Sequence, residues 1–261
     1  MKAHIKWLAV LGLLAAIVLS GCGFITQLQA RNLLNKGVKA FTEQKYSEAA
    51  EYFKQSIDLD PTFEVARLYL ATAYTSQFIP GSPDPNSVEM AHKGIETFEQ
   101  VVDLDKENPN VNAMVSIASL YYQLGDTDKS KEWCRKILEA DQQNAEALYR
   151  IAVIDFDAAN EMSGLQGENV SILTPEEKEA CLKDIQEGLT VIEQAINIKP
   201  DYFDAMEYQN LLLREQAKFE SDEEAKAELL RQADIIAQKS LSLRLKAQAE
   251  EAANPRKLST Q

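Results

Sequence analysis

The side chains that could carry out chemistry are few in this chain. The sequence holds three cysteines, Cys22, Cys134 and Cys181, and two histidines, His4 and His92. Three cysteines cannot form a disulfide framework. His4 lies in an N-terminal apolar segment, so a catalytic dyad or triad that needs histidine would have to be built on His92, and a cluster of histidine metal ligands is not possible. The sequence therefore predicts no catalytic site, no metal site and no enzyme activity.

The other candidate groups have structural interpretations. Carboxylate pairs at 176–177 and 223–224 fall at predicted helix starts, where negative charge complements the helix dipole. Cys134 falls at a position of helix packing. Cys181 falls in the first turns of a predicted helix, where its thiol is either ordinary or has a lowered pKa. No glycine-rich phosphate loop occurs, and no cofactor is predicted.

The N-terminal segment predicts export from the cytoplasm. Lys2 and Lys6 precede an apolar run from Trp7 to Leu19, which is followed by the small residues Ser20 and Gly21. A basic start, an apolar core of this length and small residues at its end are typical of a secretory signal. The run is too short to span a bilayer comfortably.

Leu19-Ser20-Gly21-Cys22 resembles the lipobox of bacterial lipoproteins. This resemblance implies a signal peptide over 1–21, acylation of Cys22 and anchoring to a lipid bilayer, which two or three acyl chains make stable. A simple secretory cleavage site and an uncleaved anchor are the alternatives. Gly23, where an Asp would retain an enterobacterial lipoprotein in the inner membrane, favours the periplasmic side of the outer membrane if the cell has one.

The overall charge excludes one class of partner. The formal net charge is −14, and the two basic residues of the first 21 positions are balanced by no acid there. Such an acidic body does not favour binding to a phosphate backbone, so we expect no nucleic acid partner. Charge alone would also not hold the whole protein on an anionic membrane.

Helical patterns fill the chain after Cys22. Hydrophobic residues make up 45% of the sequence, and only 10 Gly and 8 Pro occur. Apolar residues recur at helical spacing from Leu28 onward. We therefore predict a lipidated cysteine with a short tether at 22–27, a helical domain over 28–253 and a flexible tail over 254–261.

The domain contains internal repeats. One pattern recurs along the chain: a helix with an aliphatic pair near its end is followed by a break and then by a second helix. The breaks lie at Asp60-Pro61, Asp105-Lys106, Asp141-Gln142 and Lys199-Pro200. The stretch from Val111 to Asn144 shows a 34-residue period without insertion. In it, Ile117-Ala118, Tyr121 and the turn at Gly125-Asp126 resemble the tetratricopeptide repeat.

This resemblance implies an all-α fold. We expect a right-handed tetratricopeptide superhelix, an α-solenoid of about five helix-turn-helix units, closed by a long charged C-terminal capping helix over about 222–251. The pattern weakens in units four and five. Two insertions, near 75–87 and 157–174, fall between the two helices of units two and four. They mark either a functional face or tolerated loop growth.

The resemblance also implies where a partner binds. In this family the exposed sides of the first helices of each unit form a concave wall, which here comprises Arg31, Leu34, Phe41, Leu68, Thr72, Asn112, Val115, Ser119, Tyr122, Gln123, Tyr149, Phe156 and Arg214. The implied partner is another protein, bound through an extended or helical segment with apolar anchors. The alternative is that several of these residues pack against neighbouring helices.

These observations together predict a membrane-anchored scaffold or assembly factor of the cell envelope. A periplasmic ligand carrier, or an enzyme accessory subunit with a site in the inter-helix loops, is the alternative.

Overall fold

A computed structural model describes residues 23–253, and every regular element in this range is a helix. Residues 23–126 and 127–253 form two compact units, which are described separately. Within the described range no helix is both long enough and apolar enough to cross a bilayer. The predicted signal peptide, the acylation site Cys22 and the tail over 254–261 lie outside the described residues.

Ten helices occupy the described residues. The first unit contains α1 over 23–42, α2 (Tyr46–Leu59), α3 (Glu64–Thr75), α4 (Pro85–Val102) and α5 (Val111–Gln123). The second unit contains α6 (Thr127–Ala140), α7 (Ala145–Ser163), α8 (Pro175–Ile198), α9 (Phe203–Phe219) and α10 (Glu223–Ala253). Every described element is helical and the last helix is the longest, which confirms the prediction of an all-α fold with a long terminal helix.

Local sequence explains where several helices begin. The side chain of Asn110 accepts a hydrogen bond from the Ala113 amide, and Asn144 does the same for Ala147. Thr174 and Glu177 form a reciprocal capping box at the start of α8, with Pro175 in its first turn. These caps satisfy amide groups that have no partner within the helix.

Small residues form the core of the first unit. Ala49, Ala50 and Ala73 are buried together with the aromatic ring of Phe53. At Gly37 of α1 a Cβ atom would overlap this ring, so the absence of a side chain lets α1 and α2 approach closely. The phenyl ring fills the space that the glycine leaves open.

The core of the second unit is built in the same way around alanine and branched aliphatic residues. Ala152, Ile192, Ala205 and Leu212 form one buried cluster from α7, α8 and α9. A second cluster contains Ala159, Cys181 and Ile185. Burial of these stripes supplies the hydrophobic driving force that a single amphipathic helix lacks.

The second insertion is shorter than the sequence predicts. We expected it over 157–174, but α7 continues to Ser163 and ends at Gly164, whose φ is 81°. The reason is a buried polar contact: the Ser163 hydroxyl hydrogen-bonds to Glu215, and Lys218 pairs with Glu215 at 2.6 Å and donates to the Gly164 carbonyl at 2.8 Å. These bonds hold the end of α7 on α9.

Two other boundaries differ from those of the sequence. The first insertion, predicted near 75–87, reduces to a loop over 76–84 between α3 and α4. Helix α1 includes 23–27, which we had assigned to the tether. The structured part of the chain therefore follows the predicted acylation site directly.

We expect Gly37→Ala to destabilise the protein, because the added methyl group meets the Phe53 ring. Overpacking of this kind costs about 1–3 kcal/mol of the free energy of unfolding. Urea denaturation followed by circular dichroism measures the loss. Gly23→Ala is the matched control, because a Cβ there meets open space. Equal stability of the two variants would show that α1 and α2 do not depend on this contact.

Candidate functional site

An open groove of about 350 Å³ lies on the first unit. Three helices and one loop build it, and its lining residues are Thr72 and Thr75 of α3, Phe78 of the 76–84 loop, Phe98 of α4, and Ser116, Ser119, Leu120 and Gln123 of α5. We call this feature the unit-one groove. Thr72, Ser119 and Gln123 are residues that the sequence assigns to the partner-binding wall, and the structure brings them together here.

The hydroxyl groups of the unit-one groove are partly satisfied by their own helices. Thr72 donates to the Leu68 carbonyl at 2.8 Å, and Ser116 donates to the Asn112 carbonyl at 2.9 Å. A hydroxyl oxygen that donates its proton keeps lone pairs that can accept another hydrogen bond. The groove can therefore accept hydrogen bonds from amide groups of a bound chain.

Apolar side chains form the other part of the groove. Phe98 and Leu120 are buried, and Phe78 is half-buried. No lining residue carries a formal charge, although the whole chain is strongly acidic. A charged ligand group would lose hydration here without gaining an opposite charge, which is unfavourable. The groove therefore suits an uncharged, partly apolar segment.

The first insertion supplies one wall of this groove. Within the loop, the Ile79 amide donates to the Ser87 hydroxyl at 2.8 Å, and Asp84 caps α4 by accepting from the Asn86 amide at 2.9 Å. These bonds fix the segment that carries Phe78. The insertion thus contributes Phe78 to the groove.

Sequence reasoning did not assign Thr75, Phe78, Phe98, Ser116 or Leu120 to the site. Phe98 is a buried aromatic residue of α4. Phe78 offered one usable signal, which is an aromatic residue inside a proline-rich insertion. The others could be found only once α3, α4 and α5 were placed against each other.

Most other wall residues of the first unit have structural contacts. Leu34 and Phe41 pack against the core around Phe53, and Phe41 also meets Tyr46 and Tyr69 edge-to-face. Positions Leu68, Val115 and Tyr122 are half-buried, whereas Arg31 and Asn112 are exposed; none of these five lines the groove.

The wall residues of the second unit belong to other clusters. Tyr149 lies 5.2 Å from Tyr202 and 5.5 Å from Tyr208 between ring centroids, and Phe156 meets Tyr208 at 5.7 Å. Burial raises the pKa of Tyr149 well above its usual value and that of Tyr202 to about 12, so both phenols stay neutral. Arg214 hydrogen-bonds to Asn210 at 2.8 Å and pairs with Asp234.

A buried ionic network joins α6, α7 and α8. Lys131 pairs with Asp155 and, at 3.0 Å, with Glu187, which Arg135 also contacts at 2.9 Å. Carboxylate oxygens of Asp155, Asp184 and Glu187 lie within 4.8 Å of one another, a spacing that could hold a metal ion. The Lys131 ammonium group already supplies a cation to two of these three carboxylates. The carboxylates of Asp155 and Glu187 are therefore paired with basic side chains of the protein itself.

The titration of this network follows from its burial. Burial raises the pKa of Asp155 to about 6 and outweighs the opposing effect of Lys131. One carboxylate oxygen of Asp155 has no hydrogen-bond partner within the described residues. Burial lowers the pKa of Lys131, but its hydrogen bonds and charge attraction to Asp155 and Glu187 together outweigh burial, so the pKa is raised. Asp155 and Lys131 are therefore both charged at neutral pH.

Both described cysteines are inert at neutral pH. Cys134 and Cys181 are buried, and burial raises the pKa of each thiol to about 11. For Cys181 this decides between the two interpretations left open by the sequence: its position in the first turns of α8 does not lower the pKa. Its thiol donates a weak hydrogen bond to the Ala159 carbonyl at 3.6 Å. His92 lies exposed on α4.

Comparison with known proteins finds two copies of one repeat in the chain. The tetratricopeptide repeat family model matches residues 30–63 and 111–144, the second of which is the stretch that shows the uninterrupted 34-residue period. No curated protein sequence matches the chain. The chain therefore contains tetratricopeptide repeats at these two positions.

Solved structures agree with this fold at low sequence identity. A crystal structure of MamA is similar with a TM-score of 0.58 and 15% identity, over 85% of this chain and 96% of that one. MamA of Desulfovibrio magneticus RS-1 has a TM-score of 0.53 and 10% identity, over 80% and 96%. YrrB, described as a tetratricopeptide repeat protein with an unusual peptide-binding site, has 0.50 and 15%, over 83% and 90%.

We expect Lys131→Met to destabilise the protein at neutral pH by about 3–5 kcal/mol, because it leaves the Asp155 carboxylate buried without its cation. The pKa of Asp155, already about 6, lies above its ordinary value of 3.8. The folded state therefore binds the proton more tightly, and this group's contribution to stability falls as pH rises from about 4 through 6. Removing the cation raises that pKa further, so the variant should lose stability more steeply with increasing pH.

Chemical denaturation of the unchanged protein and of Lys131→Met at pH 5 and pH 7.5 measures how the free energy of unfolding of each changes with pH. The double variant Lys131→Met/Asp155→Asn should recover most of the stability and lose the added pH dependence. An equal destabilisation at both pH values would contradict the role of the Asp155 charge.

Proposed function

We propose that this protein is a membrane-anchored tetratricopeptide lipoprotein that acts as a protein-binding scaffold or assembly factor in the cell envelope. The observation that carries the scaffold function is the unit-one groove, which is uncharged, open and lined by both apolar groups and hydrogen-bond acceptors. This combination suits a polypeptide, whose backbone supplies donors and whose side chains supply apolar anchors.

The chemistry of the groove defines the bound segment. An apolar side chain would enter over Phe78, Phe98 and Leu120, and backbone amides would donate to the hydroxyl groups of α3 and α5. The segment would be uncharged where it enters, because the groove offers no compensating charge. The peptide-binding site named for YrrB supports a peptide as the ligand, since that protein has a similar fold.

The location in the envelope rests on the sequence around Cys22. Leu19-Ser20-Gly21-Cys22 fits lipoprotein processing, and acyl chains on Cys22 would hold the helical domain next to the bilayer. Gly23 favours the outer membrane over the inner membrane where both exist. The domain would lie on the periplasmic side.

We expect Thr72→Arg/Ser119→Arg to weaken partner binding by roughly tenfold or more, because two guanidinium groups would fill the groove and bring charge into it. The measurement is in-cell crosslinking followed by identification and quantitation of the captured protein. Thr190→Arg/Ser171→Arg is the matched control, because both residues are exposed and lie outside the groove.

A specific partner that is lost in the groove variant and kept in the control supports the scaffold. A partner captured equally by both variants would place binding elsewhere. If no protein is captured and a small molecule stays with the purified protein, the carrier interpretation replaces the scaffold.

We expect Cys22→Ala to release the protein from membranes, because the thiol that accepts the lipid is absent. Cell fractionation with quantitative immunoblotting measures the membrane-bound share. Cys134→Ala is the control, since this buried thiol lies in the folded domain and should leave fractionation unchanged. A Cys22→Ala variant that stays with the membrane fraction would show that acylation is not the anchor.

A further inference from the structure

The outward side of α1 combines exposed apolar side chains with basic ones and carries no acidic residue. Its exposed residues recur at steps of three and four, which places them in one row along a helix. The row consists of Phe24, Leu28, Arg31, Asn35 and Lys39, and Ile25, Asn32 and Lys36 flank it. We call this row with its flanking residues the α1 outer face.

Apolar side chains mark the N-terminal end of this face. Phe24 is 64% exposed, Ile25 is 55% exposed and Leu28 is 50% exposed. The opposite side of the helix carries the buried residues Ala30 and Ala40, which pack into the unit. The three large apolar side chains therefore do not take part in the described core. Water contact of three adjacent large apolar side chains is unfavourable, so this end of the helix is a candidate contact surface.

Basic side chains follow the apolar end. Helix α1 contains Arg31, Lys36 and Lys39 and no acidic residue, within a chain whose net charge is −14. None of these three forms an ion pair with a described residue. The next acid along the chain, Glu43, is paired with Lys45 at 2.7 Å and is also attracted by the charge of Lys39. The local charge of the α1 outer face is therefore positive.

We propose that the α1 outer face lies on the bilayer surface, with Phe24, Ile25 and Leu28 inserted among the lipid chains at the headgroup boundary and the three basic residues on anionic headgroups. The inference rests on the proposed acylation of Cys22, which is two positions before Phe24. An apolar patch beside the anchor and a basic patch further along are the two features of an interfacial helix.

Position along the chain favours a membrane over a protein as the occupant. An acyl chain on Cys22 would bring the first turn of α1 to the bilayer whether or not any protein is present. The apolar groups occupy the first two turns, and the three basic residues lie about two to four turns after Phe24, at 3.6 residues per turn. The helix would then lie along the surface and fix the orientation of the first unit to the membrane.

The test uses the mature acylated chain reconstituted in vesicles. An environment-sensitive fluorophore is attached to Asn32→Cys, which is exposed on the α1 outer face, or to Gln238→Cys, which is exposed on α10. Cys134 and Cys181 are buried with raised thiol pKa values, and Cys22 carries the lipid, so the introduced thiol labels selectively. Quenching by brominated lipids reports contact with the bilayer, in phosphatidylcholine vesicles with or without phosphatidylglycerol.

We expect strong quenching at residue 32 in vesicles that contain phosphatidylglycerol, less in phosphatidylcholine alone or at high salt, and little at residue 238. Reversing three charges by Arg31→Glu/Lys36→Glu/Lys39→Glu should lower the equilibrium constant for docking of the face by on the order of a hundredfold and abolish the quenching. The control Lys106→Glu/Lys183→Glu/Lys239→Glu makes the same change in net charge on other exposed lysines and should keep it.

Flotation of the vesicles separates the two proposals. A protein that does not float with the vesicles overturns the anchor, and the docking of α1 falls with it. A protein that floats while residue 32 stays unquenched leaves the anchor intact and overturns the docking. Self-quenching between fluorophores at residue 32, without lipid quenching, would mean that a second copy covers the face and would also overturn it.

Discussion

Close approach of neighbouring helices is the constraint on which this structure depends. Each helix is amphipathic and cannot bury its apolar stripe alone, so stability comes from packing helix against helix. That packing requires small residues at the contacts. Gly37 under the Phe53 ring and the buried alanines of α2, α3 and α5 meet this requirement in the first unit. In the second unit Gly188 lies against Leu212 in the same way.

The same constraint decides which side chains remain for function. Residues that face a neighbouring helix are used by the core, as Leu34 and Phe41 are, although a family pattern assigns them to a binding wall. What remains are surfaces where packing leaves a gap or has no neighbour. The unit-one groove is such a gap, closed on one side by the loop that carries Phe78. The α1 outer face has no described neighbour to cover its apolar groups.

Sequence predicted the parts of the fold that depend on local pattern. Helix breaks at proline and aspartate, the carboxylate pair at the start of α8 and the period over 111–144 can all be read within one short window of the chain. The end of α7 could not be predicted, because it depends on a bond between Ser163 and Glu215, which are 52 residues apart. The groove was predicted in part: Thr72, Ser119 and Gln123 follow from the helical repeat, whereas Phe78 depends on the path of an insertion.

The distribution of charge also required the structure. A net charge of −14 argues against binding of the whole protein to an anionic surface, and this holds as an average. At physiological ionic strength, however, charges act over only about 8 Å. A lipid surface therefore interacts with the charges on the face that touches it, and not with the net charge of the whole protein. On α1 that face is basic and free of acids. A lipid anchor at Cys22 would present this one face to the bilayer, while repulsion of the acidic body by anionic lipids would disfavour other orientations. On this proposal, the basic face next to the anchor would hold the first unit in one orientation on the bilayer.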